Sequence, residues 1–251
     1  MHILEGERVG RKEGIMERSV ISVIMPAYNE EKTIGAVISE SISVMDSLRL
    51  PYEVIVVDDG SGDHTMCEAM RYKTIVLSNG ENKGKGYSIR KGFQYAQGNI
   101  IVTIDSDGEH KPKEIPDLLN PIFNGTDIVA GSRFLGNQGQ VTAKLNQIGN
   151  FLFNVTIMAL TRKRITDSQT GFRAMKRSVF EKLSLESDGY EIDTEITVKG
   201  LRNGFRFREM PITCERRKYS ISKLKLLSDG TKILKTILKA NFSKIEHDVL
   251  S

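Results

Sequence analysis

No stretch of this 251-residue sequence approaches the roughly 18 consecutive apolar residues that a membrane-spanning helix requires. The longest candidate, 151–160, is interrupted by Asn154 and Thr156 and reads as a core or interfacial helix. Cysteine is scarce. Cys67 and Cys214 share no metal-ligand spacing and make no disulfide framework, so a reduced, intracellular compartment is expected. The first 19 residues are charged and lack the apolar core of a secretion signal. They are expected to form a flexible leader, with Met16 as an alternative start. The common phosphate cradles are missing too. No Gly-x-x-x-x-Gly-Lys-Ser/Thr occurs, and Gly84-Lys85-Gly86 has Ile89 where a dinucleotide fingerprint needs its third glycine. Common dehydrogenases and P-loop ATPases are thereby excluded, and a nucleotide here would be held by carboxylates and a metal ion.

Apolar residues at 39% and charged residues at 27% describe an ordinary globular chain, long enough for one large α/β domain or two small ones. The net charge of +4 is unevenly placed: residues 216–244 hold nine Lys/Arg against Asp229 alone, leaving the rest of the chain net negative. Such asymmetry suits an anionic partner, a membrane surface or nucleic acid. The tail has few aromatics for base stacking, which argues against nucleic acid. From Ser222 onward, Leu226, Leu227, Ile233, Leu234, Ile237, Leu238 and Phe242 fall near a helical stripe, with Lys225, Lys232, Lys235 and Lys239 largely off it. A basic amphipathic helix over 221–251 is expected to lie on a membrane surface, with Gly230 as a point of interruption. The segment 141–160, carrying Lys144, is a second candidate for holding a lipid.

Buried strands are predicted at 20–25, 53–57, 74–77, from 100 onward, and at 127–130, with helical patterns between them such as Ile34, Val37, Ile38, Ile42 and Met45. Five alternations over about 110 residues argue a doubly wound, mostly parallel α/β sheet with helices on both faces. The loops after strands one, two and four fall at the same sheet edge, where open α/β sheets bind their ligands. The fourth strand, Ile100-Ile-Val-Thr-Ile104, runs into Asp105-Ser-Asp107-Gly-Glu109. In a continued strand these three carboxylates share one side, and hard oxygen ligands suit Mg²⁺ or Mn²⁺ on a diphosphate. The competing reading is a polar turn formed by Asp107-Gly108.

These residues also carry a resemblance. Pro26-Ala27-Tyr28-Asn29-Glu30, Val57-Asp58-Asp59-Gly60-Ser61, Asn82-Lys83-Gly84-Lys85-Gly86, Asp105-Ser106-Asp107 and Gly131-Ser132-Arg133 occur in the order and spacing of inverting GT-A glycosyltransferases of family 2. Thr170-Gly171-Phe172-Arg173, the run 189–195 and Arg217 to Leu224 resemble its dolichyl-phosphate mannose synthase branch, which moves a sugar from a nucleotide sugar to a polyprenyl phosphate. The match spans 20–228, implying a nucleotide-sugar half (20–131) and an acceptor half (132–220).

By this resemblance Pro26, Ala27, Tyr28 and Glu30 line the nucleoside, Asp59 reads the base, and Lys85 joins the nucleotide contacts. Asp105 and Asp107 ligate the metal and diphosphate, with Glu109 standing where mannose synthases usually have Gln. Arg133 and Arg217 hold the acceptor phosphate, Ser222 and Lys223 close a loop over the donor, and Lys144 and Arg173 belong to the acceptor side. Asp107, Arg133 and Arg217 are the expected catalytic residues. Asp-Ser-Asp-Gly-Glu-His departs from the usual Asp-Ala-Asp-Leu-Gln-His, which leaves mannose, glucose and N-acetylglucosamine open, with GDP-mannose favoured over UDP-hexoses.

A lipid monophosphate has a second pKa of about 6 and needs no base, whereas a glycan hydroxyl would need one, for which Asp193 or Glu195 is positioned. The expectation is therefore a metal-dependent polyprenyl-phosphate hexosyltransferase, peripheral on the cytoplasmic face of a membrane. A glycan-directed transferase, or an inactive nucleotide-sugar-binding subunit with a membrane partner, is the alternative.

Overall fold

The computed structural model describes residues 19–135, 144–215 and 226–242. The leader, Arg217, Ser222, Lys223 and the side chain of Lys144 lie outside the described residues.

Continuous apolar runs build the first half. Strands β1 (Ile21–Ala27), β2 (Tyr52–Asp58), β3 (Ile75–Ser78) and β4 (Ile100–Thr103) pair in parallel in the order β3-β2-β1-β4. Every residue of β1 is buried, as a central strand covered on both faces demands. Helix α1 (Ile34–Leu48) sets Ile34, Val37, Ile38 and Met45 against Val23, Met25, Val54 and Val56. On the other face Ile89, from α3 (Lys85–Tyr95), packs on Ile24, Ile55 and Val57. A short α2 (Thr65–Ala69) lies between β2 and β3, and α4 (Ile115–Phe123) leads to β5 (Ile128–Ser132).

The second half departs from simple alternation. After α5 (Lys144–Thr161), β6 (Arg173–Lys176) inserts between β4 and β5, antiparallel to both. Then follow α6 (Arg177–Leu183), α7 (Ile192–Arg202) and β7 (Phe207–Pro211), which pairs in parallel with β5. The seven strands form one sheet, β3-β2-β1-β4-β6-β5-β7. The expected doubly wound, mostly parallel sheet is present, with β6 as its antiparallel insertion.

The last described helix, α8 (Leu226–Phe242), passes through Gly230 without interruption. Its apolar stripe is divided. Ile233, Ile237 and Ala240 turn inward onto Ile157, Val198 and Leu201 of α5 and α7, each isoleucine contributing about 1.5–3 kcal/mol of burial. Leu234, Leu238 and Phe242 face outward, Phe242 at 78% exposure, as do Phe151, Leu152 and Val155 of α5. Among the described residues no helix is long and apolar enough to cross a membrane.

Candidate active site

Register brings the ligand-bearing loops together. Ala27 pairs with Asp58 and Ile24 with Thr103, so β1, β2 and β4 deliver their following residues to one edge. The Asp59 N–H donates to the Ala27 carbonyl (2.8 Å), and the Ile104 N–H to that of Ile24 (3.1 Å). Above this edge lies a cavity of about 1070 Å³ lined by Pro26, Ala27, Tyr28, Glu30, Asp59, Lys85, Asp105 and Asp107. Every residue expected at the nucleotide therefore borders the same space. Facing them are the 186–191 segment and the polar face of α8, with Asp229, Lys232, Thr236 and Lys239.

Asp59 organises the loop beside it. One carboxylate oxygen accepts from the Asn79 amide (2.7 Å) and the Lys83 N–H (2.9 Å), the other from the Gly84 N–H (2.8 Å). Glu30 is buried at the start of the turn into α1, where it accepts from the Thr33 hydroxyl (3.0 Å). The Gly84-Lys85-Gly86 segment serves close approach, where a phosphate cradle would use its backbone N–H groups. A Cβ at either glycine would strike the Ser187–Asp188 backbone, and the Tyr87 N–H donates to the Asp188 carbonyl (3.1 Å). The glycines thus let the 186–191 wall dock against the start of α3.

Strand β4 ends at Thr103, and Gly108 at φ +75° turns the chain, so the expected alternation of Asp105, Asp107 and Glu109 on one side is lost. Asp107 Oδ1 instead accepts the Glu109 N–H (2.9 Å). Among the described residues no three Asp, Glu, His or Cys side chains converge as a metal cage. Asp105 and Asp107 nonetheless fit Mg²⁺ or Mn²⁺, which is commonly held by one or two carboxylates together with substrate phosphates. Beside them His110 is buried, packed on Phe172 (centroids 5.6 Å apart), with neither ring nitrogen hydrogen-bonded among the described residues and Nδ1 3.9 Å from Asp105 Oδ2. Such an orphaned donor is suited to orient a ligating carboxylate. Burial drives the His110 pKa below the ordinary histidine value, against the pull of Asp105 and Asp107.

Lys85 Nζ bridges Asp105 (2.7 Å) and Asp193 (2.9 Å). Arg133, which is not among the residues lining the cavity, grips Asp167 through Nε (2.7 Å) and Nη2 (2.9 Å). Although burial opposes it, the Arg133 guanidinium holds the Asp167 carboxyl below the usual carboxylate range. Arg173, expected near the acceptor phosphate, is fully buried, donating to the carbonyls of Thr170 (2.9 Å), Ser168 (3.2 Å) and Asp193 (2.9 Å). It braces the β6 turn from inside and offers no surface to an acceptor. Glu195 accepts from the Glu186 and Ser187 N–H groups and pairs with Lys199 (2.6 Å). Of the three acids near the start of α7, Asp193 and Glu195 are neutralised by lysines. Glu191 lines the cavity, with one oxygen accepting from the Gly189 N–H (3.2 Å) and Oε2 buried and unpartnered among the described residues.

Sequence reasoning missed the α8 contribution and the Lys85–Asp193 bridge. The bridge links positions 108 residues apart, for which a single sequence holds no local signal.

Residues 22–184 match the family described as Glycosyl transferase family 2. The dolichol-phosphate mannosyltransferase of Pyrococcus furiosus is 34% identical over 215 residues, covering 82% of this chain but only 59% of that enzyme. The UDP-N-acetylglucosamine–dolichyl-phosphate N-acetylglucosaminyltransferase of Methanococcus voltae is 29% identical, over 92% of this chain and 99% of its own. In fold, the chain is similar to glucosyl-3-phosphoglycerate synthase from Mycobacterium tuberculosis, solved with Mn²⁺, uridine diphosphate and phosphoglyceric acid. That likeness has a TM-score of 0.74 at 23% identity, over 95% of this chain and 83% of that one. With the motifs, the sheet edge and the family match in agreement, this chain belongs to the family 2 glycosyltransferases.

Proposed function

We propose that this protein is a metal-dependent, inverting transferase that moves a hexose from a nucleotide sugar, GDP-mannose in first place, to a dolichyl or other polyprenyl phosphate at a membrane surface. The observation that carries the reading is a carboxylate edge opening on a large cavity while Asp193 and Glu195 are tied up in lysine pairs. A phosphate acceptor is already ionised near neutrality, so no base is needed. The names of the Pyrococcus and Methanococcus relatives support the same acceptor class.

The chain's own tasks are placement and neutralisation. The β1 and β2 loops receive the nucleoside, and Asp59 keeps the Asn82–Gly84 loop in shape for it. Asp105 and Asp107 would hold Mg²⁺ or Mn²⁺, whose Lewis acidity would stabilise the departing nucleoside diphosphate. Arg133, with Arg217, would bring the acceptor phosphate to the sugar. A phosphate oxygen then bonds to C1 as the C1–O bond to the diphosphate breaks, and the electron pair leaves with the nucleotide. Attack opposite the leaving group inverts the anomer. The outward residues of α5 and α8, with Lys235 beside them, suit the cytoplasmic face of an anionic membrane.

A second reading, transfer to a glycan hydroxyl, draws on Glu191, which lines the cavity and whose buried, unpartnered Oε2 would have to turn toward the substrate to serve as base. The first test is transfer of radiolabelled sugar from GDP-mannose, UDP-glucose and UDP-N-acetylglucosamine to a short polyprenyl phosphate, with Mn²⁺ and with chelator. A lipid-soluble product from one donor, lost with chelator, is the expected result. Nucleotide-sugar binding without lipid product from any donor would overturn the acceptor assignment.

A further inference from the structure

The proposed function needs Asp105 to hold a divalent ion, yet Asp105 Oδ1 already carries a cation, the Lys85 ammonium at 2.7 Å. The same Nζ lies 2.9 Å from Asp193 Oδ2, and the Lys85 side chain is only 10% exposed.

The position is built. Lys85 starts α3, tied to the 187–188 backbone by the close approach of Gly84 and Gly86. Gly171 faces the ion pair, and a Cβ there would strike both Lys85 Nζ and Asp105 Oδ2. Arg173 Nε stands 3.8 Å from Asp193 Oδ1 on the far side, giving an alternating row Asp105–Lys85–Asp193–Arg173. Three buried groups along this row lack hydrogen-bond partners among the described residues, Asp193 Oδ1, Arg173 Nη1 and the His110 ring. His110 Nδ1 sits just outside bonding range of Asp105, at 3.9 Å. A small shift of Asp105 away from Lys85 and toward His110 would satisfy the imidazole.

We propose that Lys85 is an internal competitor for the divalent ion, sharing Asp105 with it and so making metal binding depend on the nucleotide. An ammonium and a dication on one carboxylate repel each other in a poorly hydrated site. A nucleoside diphosphate supplies negative charge that both can use, so the ion enters with the donor instead of ahead of it. Once Asp105 turns to the ion, Lys85 keeps Asp193 as its partner and faces the diphosphate. This rests on the metal role of Asp105 and Asp107 in the proposed function.

The test is Mn²⁺ binding to the purified full chain, followed by electron paramagnetic resonance of free Mn²⁺, with and without GDP or UDP. Wild type is expected to bind weakly alone and much more tightly with nucleotide. Lys85→Met should bind Mn²⁺ alone at least about tenfold more tightly than wild type, with a smaller nucleotide effect, while Lys85→Arg stays near wild type. Thermal melting checks folding, and Lys85→Gln, whose amide reaches toward the same carboxylates, replaces Lys85→Met if that variant does not fold. Unchanged or weaker Mn²⁺ binding in the neutral variant, or equal tightening in Lys85→Arg, overturns the competition. If wild-type binding with nucleotide is present and lost in Asp107→Asn, such a result removes the competition alone. If wild type binds no Mn²⁺ even with nucleotide, the metal role and the competition fall together.

Discussion

The two sides of the sheet edge handle charge differently. On the proposed donor side, β1, β2 and β4 end in loops that bring Glu30, Asp59, Asp105 and Asp107 to the cavity. On the proposed acceptor side the charges are closed into braces: Arg133 on Asp167 and Arg173 on three carbonyls, with Lys199 on Glu195 at the cavity wall. The physical demand explains the contrast. Carboxylates beside a cavity suit a cation and the diphosphate it accompanies. Charges buried behind the wall must be paired, because an isolated buried charge is costly. Lesions on the donor side should therefore damage turnover with the fold intact, and lesions on the acceptor side should damage the fold first.

The largest expected effect is on the acceptor side. Asp167→Ala strands the Arg133 guanidinium and removes acceptors from Asn150 and Gln169, and should cost about 3–5 kcal/mol in urea unfolding. A loss below about 1 kcal/mol would break the contrast. Asp107→Ala should lower kcat by at least about 100-fold while thermal melting stays near wild type. Full activity would remove Asp107 from the site, and a large drop in Tm would make it another brace.

Smaller effects sharpen the comparison at its margins. Leu238→Glu with Phe242→Glu changes only outward residues of α8, so stability should hold while binding to anionic vesicles falls by about tenfold. Equal vesicle binding would detach this face from the membrane. Asp127 lies far from the cavity, joined to Lys176 (2.6 Å) and Arg206 (3.1 Å). Burial pushes its carboxyl up, but the Arg206 and Lys176 hydrogen bonds outweigh this and bring the pKa down to about 2. Its stabilisation is present above the ordinary value near 3.8 and is lost as pH falls through about 2. Asp127→Asn should cost about 1 kcal/mol at neutral pH, discounted for the exposed Arg206 arm, with the difference vanishing in acid. A pH-independent cost would assign the effect to packing.

Much of the donor side was legible in the sequence, because each polar loop follows a buried apolar strand and parallel pairing aligns the ends. The Asp105–Glu109 stretch was the exception: local alternation suggested one face, but Gly108 at positive φ turned it into the competing reading, a polar turn. The acceptor side was harder. Strand β6 has four residues, Arg173–Lys176, flanked by charge and too short for a periodic signal. Its burial comes from β4 and β5, which are far away in sequence. The α8 stripe was visible as a helix, but its division into an inner row on α5 and α7 and an outer row depends on tertiary packing. The 187–188 backbone explains Gly84 and Gly86, and nothing near those glycines announces it.

The central claim is that the acceptor arrives ionised and that no acid of this site acts as a base. It is tested most directly by the pH dependence of kcat/KM for a polyprenyl phosphate in wild type and in Glu191→Gln. The expected result is a rise as pH passes about 6, where the phosphate loses its second proton, and the same profile and rate within a few fold in the variant. A loss of about 100-fold or more in Glu191→Gln, with its pH limb abolished, would make Glu191 the base and contradict the account.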